Sequence, residues 1–206
     1  MVDTFLTGKR VLITGASGFI GSHLARKLVD MGADVHATEH NNIVKDFHSS
    51  YVVDLTKMGR VRQVLECANP DYVFHLAAQA IVGDGETQSK ETLNTNIIGT
   101  MNLLLSLRGR GLKALVVAST DKVYGRHQYL PYDENTSLLG VQQVYEASKN
   151  CEDVLSQMAT HAWLMPVGIS RFGNVYGPGD FHYNRLIPET IKAFVQGRPL
   201  KIRSDG

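Results

Sequence analysis

Cysteine is scarce in this chain of 206 residues. The two present, Cys67 and Cys151, form no metal-type spacing and suit a reducing cytoplasm, where the protein is expected to reside. Long apolar runs are missing as well. None approaches the roughly 18 residues of a membrane-spanning helix, and the opening MVDTFLTGKR is too short and polar for a signal peptide. Charge of one sign is not in excess: 21 Lys and Arg face 20 Asp and Glu, a net of +1. That balance offers no electrostatic case for nucleic acid or a membrane as partner. No internal repeat or low-complexity segment interrupts the chain. His36 and His40 are four apart but flank a strand end and not a helix face, so none of the eight histidines is read as a metal ligand. With 43% hydrophobic and 20% charged residues, what remains is a soluble globular chain able to bury a full core.

The stretch KRVLITGASGFIG, from Lys9 to Gly21, organises the rest. Val11, Leu12 and Ile13 form a short continuous apolar run, the pattern of a strand buried on both faces. Gly15, Gly18 and Gly21 follow at intervals of three, and Phe19, Ile20, Leu24 and Leu28 then recur at helical spacing. Strand, glycine turn and helix are the context that gives a glycine motif a dinucleotide-binding meaning. Gly15 permits a sharp turn, Gly18 lets the backbone approach a pyrophosphate, and Gly21 lets the helix pack close to the strand. The helix N-terminus offers unpaired N–H groups and roughly half a positive charge to the phosphates.

Strand-like and helical runs alternate along the chain. Strands are expected at Arg10–Thr14, Asp34–Thr38, Ser50–Asp54, Tyr72–Leu76, Ala114–Ser119 and Gly168–Phe172. Helices are expected at Phe19–Met31, Lys57–Cys67, Glu91–Leu107, Val144–Thr160 and Asn184–Gln196. The alternation implies an α/β fold, a doubly wound parallel sheet of Rossmann type with helices on both faces. Ligands of such sheets sit at the carboxyl ends of the strands.

Those ends carry informative residues. Glu39 follows the second strand, where a carboxylate accepts hydrogen bonds from the adenosine ribose hydroxyls and repels a 2′-phosphate, favouring NAD over NADP. Asp54 and Leu55 end the third strand, where a side chain could flank the adenine. Leu76, Ala77, Ala78 and Gln79 end the fourth in small residues, leaving room for cofactor contacts or for close helix packing. The fifth runs into Ser119-Thr120-Asp121-Lys122, two hydroxyls, a carboxylate and an amine together. Tyr145 and Lys149 lie four apart in a predicted helix, so they share a face and can point into one cleft. A free phenol has a pKa near 10, which a neighbouring cation lowers by about 1–3 units. Lys149 and an oxidised nicotinamide together could bring Tyr145 close to neutral pH, ready to take a proton from a sugar hydroxyl that Ser119 or Thr120 holds.

In order, TGASGFIG, HLAAQ, NTNIIGT, STDKVYG, YEASK and RFGNVYGPG resemble the extended short-chain dehydrogenase/reductases, the NAD-dependent epimerases and dehydratases of nucleotide sugars. The resemblance covers essentially the whole chain. It implies NAD as cofactor, held by Gly15, Ser17, Gly18, Phe19, Ile20, Gly21, Glu39, Asp54, Leu55, Leu76, Ala77, Ala78, Gln79, Asn96, Ser119, Tyr145, Lys149 and Phe172. Asn96 would support the active-site helix, Tyr145 would be the base and Lys149 its electrostatic partner. Asp121-Lys122 is similar to the acid and base of CDP-glucose 4,6-dehydratases, and GDFHYNRLIPETI to their substrate-binding segment. Asn174, Asn184, Arg185, Leu186 and Ser119 are the candidate substrate contacts, Arg185 for the nucleotide phosphates.

The implied domains are a cofactor domain over 1–177, carrying the catalytic residues Thr120, Asp121, Lys122, Tyr145 and Lys149, and a partial substrate region over 178–206. The expected function is NAD-dependent conversion of a nucleotide hexose to its 4-keto-6-deoxy form. Tyr145 takes the O4 proton, Lys122 the C5 proton, and Asp121 protonates the departing C6 hydroxyl. A nucleotide-sugar 4-epimerase and a non-catalytic NAD-binding module are the alternatives. A homodimer paired through Glu91–Leu107 and Val144–Thr160 is expected, although their apolar stripes could equally pack on the sheet.

Overall fold

The computed structural model describes residues 5–40, 49–80, 86–200 and 202; Met1 to Thr4 of the opening segment lie outside the described residues. Two compact units divide the chain, Met1–Gly173 and Asn174–Gly206.

Among the described residues the first unit is built on six strands: β1 Arg10–Thr14, β2 Asp34–Glu39, β3 Ser49–Val52, β4 Tyr72–His75, β5 Ala114–Thr120 and β6 Val167–Phe172. They form one sheet in the order β3-β2-β1-β4-β5-β6, and every pairing is parallel. This is the 3-2-1-4-5-6 order of doubly wound nucleotide-binding sheets, in which the order reverses beside the first strand. The switch point therefore lies between β1 and β4, where the Gly15 turn meets Leu76 and Ala77.

Alternation along β1 sends side chains to opposite faces. Leu12 enters a core with Val61, Leu65, Leu103, Leu107 and Leu115. Val11 and Ile13 enter another with Ala25, Leu28, Val35 and Ala37. Helix α1 (Phe19–Asp30) supplies the second core; α2 (Met58–Ala68), α4 (Thr100–Leu107) and α5 (Val144–Trp163) supply the first. Gly21 shows why α1 can lie so near β1: a Cβ there would collide with the Gly15 carbonyl oxygen and sit 2.8 Å from Ala16 Cα.

Two departures from the expected elements bear on the site. The helix expected over Glu91–Leu107 is α3 (Ser89–Leu93) and α4 joined by a π-helical turn, Asn94–Gly99. The wider turn accompanies a fully buried Asn96 whose amide bonds to neighbouring elements, as π turns often do at functional sites. β3 ends at Val52, before Asp54, because Asp54 Oδ1 accepts from the Thr56 backbone N–H (2.8 Å) and hydroxyl (2.7 Å) and turns the chain. Those bonds hold Asp54 below the usual carboxylate range, against the opposing effect of burial.

Buried His75 joins three elements. Thr14 Oγ1 lies 2.7 Å from its Nδ1 and Thr100 Oγ1 2.8 Å from its Nε2. Since Thr14 Oγ1 also accepts from the Leu76 and Ala77 N–H groups, its own proton goes to Nδ1. This assigns the proton of the neutral ring to Nε2, which donates to Thr100. Burial, aided by the charge of Lys149, holds His75 down at about 3. A depressed folded pKa stabilises the fold above the unfolded value near 6.5, and that contribution is lost as pH falls towards 3. The gap corresponds to a contribution on the order of 5 kcal/mol. Chemical denaturation from pH 7 to pH 4 should show a smaller loss of stability in His75→Gln than in the parent; equal losses would contradict this account.

Candidate active site

The glycine turn forms one wall of the site. Gly15 has φ +72°, and a Cβ there would sit 2.9 Å from Ala77 Cα. Gly18 caps α1 with no side-chain hydrogen bond, and both Ser17 and Gly18 are exposed. Glu39 closes the turn from β2. Its Oε2 accepts from Ser17 N at 3.1 Å, while Oε1 is buried and has no hydrogen-bond partner among the described residues. A carboxylate only 2% exposed with one unpaired oxygen is costly unless a ligand hydroxyl occupies it.

The loop after β4 is anchored from two sides. The Leu76 and Ala77 N–H groups bond Thr14, and Gln79 exchanges two hydrogen bonds with Asn96: N to Oδ1 at 2.8 Å and Nδ2 to O at 3.1 Å. Asn96 Nδ2 also donates to Ser148 Oγ at 2.9 Å, so one amide ties this loop to α5. The Leu55 side chain joins the Leu12 cluster, and its carbonyl accepts from Asn102 at 2.9 Å. Phe172 ends β6, partly exposed.

Helix α5 carries the candidate proton-transfer pair. Tyr145 and Lys149 both lie on its buried face. Lys149 Nζ donates to Ala118 O and to Glu152 Oε2, each at 2.6 Å. Burial pushes Glu152 up to about 6 despite the lysine beside it. Asp153 is also buried and accepts from Arg171 (2.9 and 3.0 Å), Gln157 (2.7 Å) and Ser119 (2.8 Å). Burial alone would raise its pKa, but these donors hold it below the usual range, and Arg171 is correspondingly raised. The hydroxyl proton of Ser119 thus goes to Asp153, leaving Ser119 only acceptor capacity for a ligand. The start of α5 is capped from outside by Glu86, whose Oε1 accepts from Val144 N at 2.9 Å.

Asp121 and Lys122 follow β5 in a short 3₁₀ turn that Thr120 caps, its Oγ1 accepting from Lys122 N at 3.4 Å. Their side chains form a 2.9 Å ion pair, both partly exposed. They line a polar pocket of about 180 Å³ with Arg126, Tyr132, Gln143 and Glu146. The structure therefore gathers the glycine turn, Glu39, the β4 loop, Asn96, the β5 end and α5 around the carboxyl edge of one sheet. Asn174, Asn184, Arg185 and Leu186 belong to the second unit, where Arg185 precedes α6 (Leu186–Val195) and pairs with Asp180 at 3.5 Å.

Glu152, Asp153, Glu86 and His75 are neighbours of the candidate residues that motif reading did not single out. The polar stripe Tyr145, Ser148, Lys149, Glu152, Asp153 and Ser156, at helical spacing, was the available signal for the first two.

A doubly wound parallel sheet with a glycine turn after β1, a buried carboxylate beside it and a helix bearing Tyr145 and Lys149 defines a dinucleotide-binding fold of the short-chain dehydrogenase type. The model of the NAD dependent epimerase/dehydratase family matches residues 11–206, and the chain belongs to that family. It is 32% identical over 226 residues to a CDP-glucose 4,6-dehydratase of Salmonella typhimurium, covering 99% of this chain and 63% of that protein. An epimerase structure from Methanothermobacter thermautotrophicus superposes with a TM-score of 0.88 at 26% identity, over 98% of this chain and 63% of that one. A dTDP-glucose 4,6-dehydratase from Streptomyces venezuelae, solved with NAD, gives 0.82 at 28%, over 96% and 65%. The chain thus spans somewhat under two thirds of these relatives' length.

NAD is the family's cofactor, and the residues present fit it: Glu39 Oε1 is a buried acceptor with no partner among the described residues, able to take a ribose hydroxyl, beside exposed Ser17 and Gly18. Glu39→Ala should weaken NAD binding about ten- to a hundredfold, the worth of one or two hydrogen bonds to a charged group, and narrow the preference over NADP. Calorimetric titration with both dinucleotides checks this; unchanged NAD affinity would remove Glu39 from the site.

Proposed function

We propose that this chain carries the cofactor-binding and catalytic part of a nucleotide-sugar 4,6-dehydratase, converting a nucleotide hexose, with CDP-glucose the first candidate, to its 4-keto-6-deoxy form. The observation that carries the reading is the Asp121–Lys122 pair in the polar pocket after β5. Inversion at C4 alone requires one proton carrier. Loss of water across C5 and C6 requires two more, a base and an acid.

NAD, when bound, accepts hydride from C4 and supplies it again at C6. Tyr145 removes the O4 proton, its phenolate favoured by the charge of Lys149. The ketone at C4 makes the C5 proton acidic; Lys122 removes it as a neutral amine and returns a proton to C5 once hydride has reached C6. Asp121, as the carboxylic acid, protonates the C6 hydroxyl as it leaves. One proton passed from Lys122 to Asp121 across their 2.9 Å contact sets both groups in these states. A bound sugar that dries the pair favours those neutral forms. A partly exposed pair is worth only about 0–1 kcal/mol, so Lys122 is released from it at little cost.

The similarity to dehydratases over nearly the whole chain supports this reading. In it, Asn174, Asn184, Arg185 and Leu186 contact the sugar nucleotide, Arg185 at the phosphates. Two copies pair through α3–α4 and α5, on which Leu93, Leu105 and Val154 are exposed.

Incubation with NAD and a panel of CDP-, UDP-, GDP- and dTDP-hexoses, read by mass spectrometry, tests the proposal. Loss of one water from one substrate is the expected result. An isomer of unchanged mass would mean a 4-epimerase, and NAD binding without any sugar chemistry would mean a cofactor-binding module. Lys122→Met should form the 4-keto sugar yet release no water. Tyr145→Phe should bind NAD but turn over at least about a hundredfold more slowly. Normal turnover in Lys122→Met would overturn the assigned base.

A further inference from the structure

Glu152 sits one turn beyond Lys149 on α5 and is the more deeply buried of the two, 1% exposed against 3%. An ammonium has three N–H donors, and two of those on Lys149 are engaged at 2.6 Å, by Ala118 O and Glu152 Oε2. Tyr145 lies one turn before Lys149 on the same buried face. The chain therefore places a carboxylate on one side of the lysine and a phenol on the other.

We propose that Glu152 is a positioning residue, the counter-ion that fixes Lys149 and moderates the positive charge Lys149 presents to Tyr145. The proposal rests on the reading of Tyr145 and Lys149 as the proton-transfer pair. While Glu152 is ionised, the buried pair is neutral overall and its field on the phenol is reduced. When Glu152 takes up a proton, the lysine charge is unshared and Tyr145 becomes more acidic. Proton uptake at one end of the stripe is thus coupled to proton release at the other.

The surroundings leave Glu152 as the group to follow among the described residues. On its own helix, Asp153 is held ionised by Arg171 of β6, Ser119 of β5 and Gln157. His75 of β4 is neutral down to about pH 3. Asn96 of the π turn and Ser148 bring hydrogen bonds but no charge. Glu152 alone of these has its midpoint near neutrality, at about 6.

The test is ¹³C NMR of the chain labelled at tyrosine Cζ, with the Tyr145 signal assigned from Tyr145→Phe and cofactor content matched between samples. In the parent, that signal should show a small step near pH 6 as well as its own alkaline titration. Glu152→Gln should abolish the step and lower the alkaline midpoint by about one pH unit or more. Glu152→Asp should restore a step and a midpoint close to the parent. Absence of the step in the parent would overturn the proposal, whether or not Glu152→Gln folds. So would a folded Glu152→Gln whose Tyr145 titrates as the parent does. Neither readout requires turnover, so failure of the dehydratase reading on sugar substrates leaves this result separately decided.

Discussion

Asn96 has no exposed surface, and its amide makes three hydrogen bonds, two to Gln79 and one to Ser148. An amide buried this way must be satisfied or it destabilises the fold. Satisfying it requires the loop after β4 and the helix carrying Tyr145 to hold one mutual position. The π turn of Asn94–Gly99 accompanies that arrangement. The Thr14–His75–Thr100 chain repeats the logic one layer deeper, tying β1 to β4 and α4. The loop after β4 and the helix carrying Tyr145 are thus fixed to each other by buried polar groups as well as by the apolar core.

Below that layer the site is ionic. Lys149–Glu152 and Arg171–Asp153 are both nearly or fully buried pairs. Such pairs rarely add net stability over apolar packing, because desolvating the charges offsets their attraction. Their value here is placement. Arg171 grips Asp153 through two nitrogens, and Asp153 takes the Ser119 proton. The end of β5 is thereby locked to α5. By contrast, Asp121 and Lys122 stand in a partly exposed pocket where little energy holds them together, as suits the proton exchange proposed for them.

The chain's own pattern made much of this legible. The run Val11–Ile13 followed by Gly15, Gly18 and Gly21 announces the first strand, turn and helix because each residue type there answers a steric demand. Most strand ends fall within a residue of the pattern, since parallel strands buried on both faces read as continuous apolar runs. β3 is the exception: the Asx turn at Asp54 stops it early, and a side-chain hydrogen bond of that kind leaves no periodic trace. The π turn was invisible because one extra residue in a helix barely alters its apolar spacing. Glu152 and Asp153 were passed over because charged residues on a helix usually mark a solvated face. On α5 they lie on the buried one, in register with Tyr145 and Lys149.

The central claim is that one site oxidises C4, eliminates water and returns the same hydrogen at C6. A nucleotide hexose carrying deuterium at C4, incubated with the chain and NAD and followed by NMR, tests it most directly. The account predicts deuterium at C6 of a 4-keto-6-deoxy product. Deuterium that stays at C4 would contradict it.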